Sequence, residues 1–326
     1  MKAPGFWFRP PGIAAASLAP FAALHATVTR RRVARPPVFS PAVPVVCVGN
    51  INVGGTGKTP IVIELIKRLQ RSGRVAHVVS RGYGGKISGP ARVDARRHSA
   101  RDVGDEPLLL SAFAPTFIGR DRAAAAGLAA DGADVLLLDD GFQNPALRKD
   151  ANLIAVDAAR GFGNGRVFPA GPLREPLSAG FRRADLLLSI GPTQAQDAFR
   201  ETLPPAAPEL VKGRLEPLRT GMDWNGLPVL AFAGIGHPEK FFATLRELGA
   251  DVRHAEALGD HQPLTPGLMR RLENKAHRVC AQLVTTEKDA VRLPAGFRPK
   301  VLTVPVRLRL EEWRAVDALL GRLGLI

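Results

Sequence analysis

Beyond a proline-rich stretch, RPPVFSPAVP, short unbroken apolar runs alternate with longer segments in which apolar residues recur every three or four positions. PVVCVGN reads as a strand. Residues 59–70 read as a helix, with Pro60 in its first turn and Val62, Leu65, Ile66 and Leu69 on one face. RVAHVVSRGYGG is a strand running into a glycine turn, DEPLLLSAFA a helix, TFIG a short strand and RDRAAAAGLAA an alanine-rich helix. DVLLLDDG, NLIAVDA and DLLLSIG carry continuous apolar runs, as expected of strands covered on both faces. Strands and helices in this alternation make an α/β fold, a parallel sheet flanked by helices.

The alternation breaks at PPAAPEL, and VKGRLEPLR reads as a connecting strand. A second, smaller α/β set follows: strand LPVLAFAGIG, helix PEKFFATLRELGA, then VRHAEAL, helix PGLMRRLENKAH, strand AQLVTT and strand VLTVPVRLRL. EEWRAVDALLGRLGL closes as a helix. The expected division is an N-terminal region (1–35), a main domain (36–215), a smaller α/β domain (216–305) across a cleft, and a C-terminal helix (306–326) returning to the main domain.

The N-terminal region alters this picture. GIAAASLAPFAALHATV is apolar, is followed by TRRRVAR, and contains Pro20 and His25. It is shorter than the roughly 20 residues that span a bilayer. An interfacial amphipathic helix is expected, with Phe6, Trp7, Phe8 and Phe21 as apolar anchors and Arg30, Arg31 and Arg32 toward anionic headgroups. A plain helix packed on the domain is the alternative. The net charge of +15 suits an anionic partner of any kind and names none. Cys47 and Cys280, the two cysteines, both sit in apolar runs and are expected to be buried thiols, which excludes a disulfide scaffold.

GNINVGGTGKTP, directly after the first strand, carries the clearest chemistry. Its close, Gly57-Lys58-Thr59, is that of a P-loop. Glycines let consecutive N–H groups face one concavity, the lysine neutralises β/γ-phosphates and the threonine hydroxyl ligates Mg²⁺. Residues Asn52, Val53, Gly54, Gly55, Thr56, Gly57, Lys58 and Thr59 are therefore expected to bind ATP. Asn52 stands where the opening glycine is usual, and asparagine tolerates a left-handed backbone better than most residues. Leu136-Leu137-Leu138-Asp139-Asp140 fits a strand that ends in a metal-binding acid beside the loop, and Gln143 could also reach the metal. Asp105 and Glu106 read equally as helix caps or as a base and a further metal acid. Arginine-bearing glycine loops at RGYGG and at RGFGNGRVFPAGPLREP suit an anionic substrate. Asn/Thr-Lys-x-Asp, the guanine-reading signature, fails at TTEKD, where Lys288 and Asp289 are adjacent.

In this order the segments VGNINVGGTGKTP, VVSRGYGG, GDEPLLL, LLLDDGFQ, RGFGNGRVFPAGPLREPL, AFAGIGHPEKFF, GDH and TTEKDAVRL resemble those of the tetraacyldisaccharide 4′-kinases of Gram-negative lipid A biosynthesis. The resemblance runs from about residue 45 to 292 and makes Asn52 part of a family variant of the loop. It implies a P-loop NTPase-like fold and ATP- and Mg²⁺-dependent phosphorylation of the 4′-hydroxyl of a tetraacyldisaccharide 1-phosphate to lipid IVA. It implies a catalytic dyad, Asp105 as base and His261 orienting it, brought together when the cleft closes. Thr59, Glu106, Asp139 and Gln143 would gather around Mg²⁺. Arg81, Tyr83, Arg160, Asn164, Arg166 and Arg174 would contact substrate. The implied partners are the lipid A disaccharide 1-phosphate precursor and the anionic cytoplasmic face of the inner membrane, with no nucleic acid or obligate protein partner. One departure is Asn144, where the family commonly has histidine. A P-loop ATPase switch of partner assembly is the rival reading. A kinase for a non-lipid sugar or nucleoside is another, which would not need the apolar N-terminus.

Overall fold

The computed structural model describes residues 3–326. Among the described residues thirteen strands form, in chain order: β1 Val45–Gly49, β2 Ala76–Ser80, β3 Ala91–Arg92, β4 Thr116–Ile118, β5 Val135–Asp139, β6 Ala151–Asp157, β7 Leu186–Ile190, β8 Glu209–Pro217, β9 Pro228–Ala233, β10 Asp251–Ala257, β11 Gln282–Thr286, β12 Val301–Val304 and β13 Val306–Leu310. Nine make one sheet, ordered β13-β8-β7-β6-β1-β5-β2-β4-β3. All of its pairings are parallel except at the two edges, where β13 and β3 run antiparallel to their neighbours. The other four form a wholly parallel sheet, β10-β9-β11-β12.

The apolar runs occupy the centre of the large sheet because both of its faces are covered. Every residue of β1, β2, β5 and β7 is buried. On one face the Lys58–Arg71 helix packs Ile61, Leu65 and Leu69 against Val46, Val48 and Leu137. The C-terminal Arg314–Arg322 helix lies in the same layer and adds Val316, Leu319 and Leu320. Arg68 forks onto Asp317 there, Nε to Oδ1 at 2.9 Å. The Arg122–Ala129 helix covers the opposite face, its small alanines Ala125, Ala126 and Ala129 packing on Val79 and Leu136. In the small sheet, the Pro238–Glu247 helix and the Pro266–Arg278 helix sit on opposite faces.

This topology fixes where chemistry can happen. β1 lies between β5 and β6, and the loop after β1 opens at the carboxyl edge, where parallel α/β sheets bind ligands. Val48 of β1 is in register with Asp139 of β5, which places that acid beside the loop.

Three expectations need correcting. VLTVPVRLRL is two strands, not one: Pro305, which has no N–H to give, separates β12 in the small sheet from β13 in the large one. VKGRLEPLR lies largely within β8, a full member of the large sheet. Cys47 is buried, but Cys280 is exposed, in a turn after a helix at φ 46°.

The N-terminal apolar stretch is two helices, Ile13–Ser17 and Ala19–Val33, with Pro20 in the first turn of the second. No helix among the described residues is long and apolar enough to cross a membrane. Phe21, Leu24 and Val28, spaced three and four apart, are 62%, 64% and 56% exposed, so the longer helix carries an unpaired apolar stripe. Trp7 is not among the outward anchors. It is 5% exposed, and its indole N–H donates to the Pro169 carbonyl at 3.0 Å.

Candidate active site

The loop after β1 is built as a cradle. Gly54 and Gly57 take φ of 106° and 86°, the left-handed backbone that turns their amides inward. A side chain at Gly57 would also meet Ile190 Cδ1 at 2.6 Å. The Asn50 amide braces the loop from within, donating to Gly54 O and Thr56 Oγ1 at 3.1 Å. Nothing in the sequence marks Asn50 for this bracing role. Asn52 is not left-handed. Its position reflects a tie to another loop: Nδ2 donates to Gly161 O at 2.9 Å, and its backbone bridges to Leu173. Lys58 and Thr59 open the helix that follows, Lys58 Nζ lying 3.7 Å from Asp140 Oδ1.

Asp139 is 1% exposed, and although Ser80 donates to its Oδ2 at 3.1 Å, its Oδ1 is buried without a partner. Burial, with the carboxylates of Glu106 and Asp140 nearby, pushes Asp139 up to about 7. A buried acid with an unpaired oxygen beside a phosphate cradle suits a divalent cation, whose charge would favour its ionised form. Among the described residues no cluster of three or more His, Cys, Asp or Glu could hold a metal alone. Mg²⁺ takes one or two carboxylates and completes its shell with phosphate oxygens and water, so the single buried acid Asp139 suits it. Asp140, at φ 50°, stays below the usual carboxylate range: burial raises it, but Lys58 and Arg174 outweigh burial.

Gln143, expected at the metal, is engaged with other protein groups in this structure. Its amide nitrogen donates to Asn50 O at 2.8 Å and Glu175 Oε1 at 3.0 Å, and its oxygen accepts from Arg174 at 3.3 Å. The side chain is engaged in holding the cradle loop to the 174–175 segment.

The catalytic candidates meet at a seam between the two sheets. Gly104, at φ 89° and with Tyr83 O only 2.5 Å from where a Cβ would sit, turns the chain so that Asp105 opens its helix almost fully buried. His261, from the small unit, stands opposite, with Nδ1 at 2.9 and 3.1 Å from the two Asp105 oxygens. The two residues are in contact in this structure. His261 has φ 56°, held by its N–H to Gly234 O at 3.1 Å. A left-handed non-glycine residue at such a place is strain that a site requirement explains. Tyr83, 67% exposed, sets its ring edge-on to the imidazole, centroids 5.8 Å apart.

Charges around Asp105 favour its ionised form. Burial alone would raise it, but the His261 hydrogen bond and the Lys288 and Arg292 charges hold it below the usual range. Arg292 Nε is 3.7 Å from Asp105 Oδ2, and Lys288 Nζ is 3.0 Å from Glu106 Oε1. A third cross-seam pair, Lys240 with Asp157 at 2.6 Å, lies on another part of the boundary. Lys240, Lys288 and Arg292 were not singled out as functional from sequence, because only the folded seam pairs them with acids distant in the chain, 83 positions away for Lys240 and 182 for Lys288.

The substrate-binding candidates divide. Arg81, Arg160 and Arg166 are exposed, and the Arg160 guanidinium lies 4.6 Å from the centroid of the Phe8 ring, at a cavity of about 560 Å³ also lined by Arg9 and Pro10. Asn164 is occupied: its Nδ2 donates to Ala170 O at 2.9 Å and its Oδ1 accepts from Arg166 N at 3.1 Å. Its backbone N–H donates to Trp7 O, so Asn164 fastens the N-terminal segment to the loop. Arg174 pairs with Asp140 at 2.9 Å and serves the cradle. Asn144 folds back on its own turn, its Oδ1 accepting from Ala146 N at 2.8 Å.

Comparisons with known proteins agree with one another. The family model described as tetraacyldisaccharide-1-P 4′-kinase matches residues 14–324. The tetraacyldisaccharide 4′-kinase of Jannaschia sp. (strain CCS1) is 58% identical, over 99% of this chain and all of the relative. That of Rhodospirillum rubrum is 48% identical over 99% of this chain and 98% of its own length. The crystal structure of the "apo" form of LpxK from Aquifex aeolicus in complex with ATP superposes with a TM-score of 0.76 at 27% identity, over 95% of this chain and 99% of that one. The chain belongs to the tetraacyldisaccharide 4′-kinase family.

Proposed function

We propose that this family member transfers the γ-phosphoryl group of ATP to the 4′-hydroxyl of a tetraacyldisaccharide 1-phosphate, giving lipid IVA, with Asp105 as the general base. The observation that carries the base assignment is the buried carboxylate of Asp105, bonded to His261 across the seam and ionised by its surroundings.

The roles follow from chemistry. Backbone N–H groups from Val53 to Thr59 and the Lys58 ammonium hold the triphosphate and absorb charge on its oxygens. Thr59, Glu106 and Asp139 are the residues that would hold Mg²⁺, which when bound screens the charge of the phosphates. Gln143 is left out of that set because its amide already has three partners. Asp105 accepts the proton as the 4′-oxygen forms its bond to the γ-phosphorus and the bond from that phosphorus to ADP breaks. His261 keeps the carboxylate aimed. Exposed Tyr83, Arg81, Arg160 and Arg166 are the side chains free to meet an anionic sugar. Asn164 and Arg174 act through loop geometry.

The units fit this division. The large sheet, with β13 and the C-terminal helix, carries the cradle; the small sheet delivers His261. Phe21, Leu24 and Val28, with Arg30, Arg31 and Arg32 exposed at the end of the same helix, support peripheral binding to an anionic membrane, in our reading the cytoplasmic face of the inner membrane.

The test is to incubate purified protein with Mg-ATP in detergent, with and without the disaccharide 1-phosphate. ATP consumption should depend on the lipid and yield a doubly phosphorylated product. ATP hydrolysis indifferent to the lipid, with no new phospholipid, would return the chain to the reading of an ATPase switch.

A further inference from the structure

Lys288 lies in the TTEKDAVRL segment, to which no role was assigned from sequence, yet its surroundings hold it in one place. It is the second residue of the short Glu287–Ala290 helix after β11. Both neighbours are tied down. The Glu287 carboxylate accepts from Arg307 at 2.6 Å. Asp289 is fully buried, accepts from the Gly234 N–H at 3.1 Å, and donates its own N–H to Thr286 Oγ1 at 3.2 Å. The Lys288 side chain reaches into the seam, with Nζ 3.0 Å from Glu106 Oε1 and 3.3 Å from His261 Nε2.

The second distance has a consequence for the dyad. An ammonium has three donors and no acceptor, so it can bond an imidazole nitrogen only through a lone pair. Nε2 of His261 therefore carries no proton when it faces Lys288. The single N–H of the neutral ring is then on Nδ1, which faces Asp105 Oδ2 at 2.9 Å. Asp260 also looks toward Nε2, but at 3.7 Å it is beyond hydrogen-bond reach and cannot anchor a proton there. Arg292 stands on the far side of Asp105, 3.7 Å from Oδ2, and Tyr83 meets the imidazole edge-on.

We propose that Lys288 is a positioning residue that selects the Nδ1–H tautomer of His261. The selected tautomer lets His261 donate to Asp105 while leaving that carboxylate anionic, the state in which it can take the proton of the acceptor hydroxyl. The same ammonium grips Glu106, so one side chain of the small unit registers both acids of the GDEP turn. This rests on the proposed role of Asp105.

Two measurements test it. The first needs no turnover. In protein labelled with ¹⁵N in its histidine rings, a long-range ¹H–¹⁵N correlation reads the tautomer of each histidine, and His261→Gln identifies the signal. His261 should be Nδ1–H in the wild type and in Lys288→Arg, and shift to Nε2–H or a mixture in Lys288→Met. The second is steady-state kinetics. Lys288→Met should lose roughly 10- to 100-fold in kcat, the usual range for a residue that orients a functional histidine. Its KM for ATP should be little changed, and Lys288→Arg should recover much of the loss. An Nε2–H ring in the wild type overturns the proposal, whether or not Lys288→Met folds. So does an Nδ1–H ring in folded Lys288→Met. Absence of lipid phosphorylation would remove the kinase reading but leave the tautomer result standing.

Discussion

The phosphate cradle and the inter-sheet seam solve opposite problems. The cradle's turn is made within about ten positions, by glycine backbone and an internal asparagine brace, with distant loops only buttressing it. The seam joins residues 156 and 182 positions apart, Asp105 with His261 and Glu106 with Lys288, through side-chain charge. In each of those pairs the acid belongs to the large unit and the basic side chain to the small one. A local device binds the phosphate, which every nucleotide site needs. A non-local one can be made or lost as a unit, which suits the step that must not occur until both substrates are present.

Variants that touch one region and spare the other sharpen the contrast. The largest effect is expected from Asp105→Asn, which keeps the shape of the seam and removes the base. Its kcat should fall by roughly 10²- to 10⁴-fold, the span of general-base contributions. ATP affinity, measured by titration, should hold because the cradle is untouched. Next comes Asn52→Ala, which cuts the tie between the cradle and Gly161 while leaving the seam alone. Losing one net hydrogen bond of about 1 kcal/mol should weaken ATP binding about fivefold with kcat nearly kept. Smallest in catalysis is the triple change Phe21→Ser, Leu24→Ser, Val28→Ser. In a detergent assay with soluble substrate dispersion it should leave kcat and melting temperature near wild type, since those side chains are exposed. Partitioning to anionic liposomes should drop, and unchanged partitioning would make the stripe an ordinary surface.

Legibility from sequence follows the same division. The parallel sheet was visible because β1, β5 and β7 carry unbroken apolar runs, and the cradle because glycine and Lys-Thr at fixed spacing have a local mechanism. Asn52 was read for the wrong property, since its side chain and not its backbone matters, and the partner, Gly161, is 109 positions away. Pro305 was passed over as a residue within one strand, though it marks where the chain changes sheets. Trp7 looked like a membrane anchor because hydropathy cannot tell a residue facing lipid from one facing Pro169. Gln143 and Asn164 are polar residues in motif loops, and nothing in their spacing says that their hydrogen bonds are already taken. Asp105 was evenly a cap or a base until the family resemblance brought in His261, and Lys288 was seen only as a failed guanine signature.

The central claim is that Asp105 and His261 act as one device across the seam, and a double-mutant cycle on kcat tests it most directly. Groups that work as a unit show losses far from additive in free energy. Asp105→Ala and His261→Ala should each reduce kcat strongly, and the double variant should be little worse than Asp105→Ala alone. Losses that multiply in the double variant would mean that the two residues contribute independently, and would contradict the account.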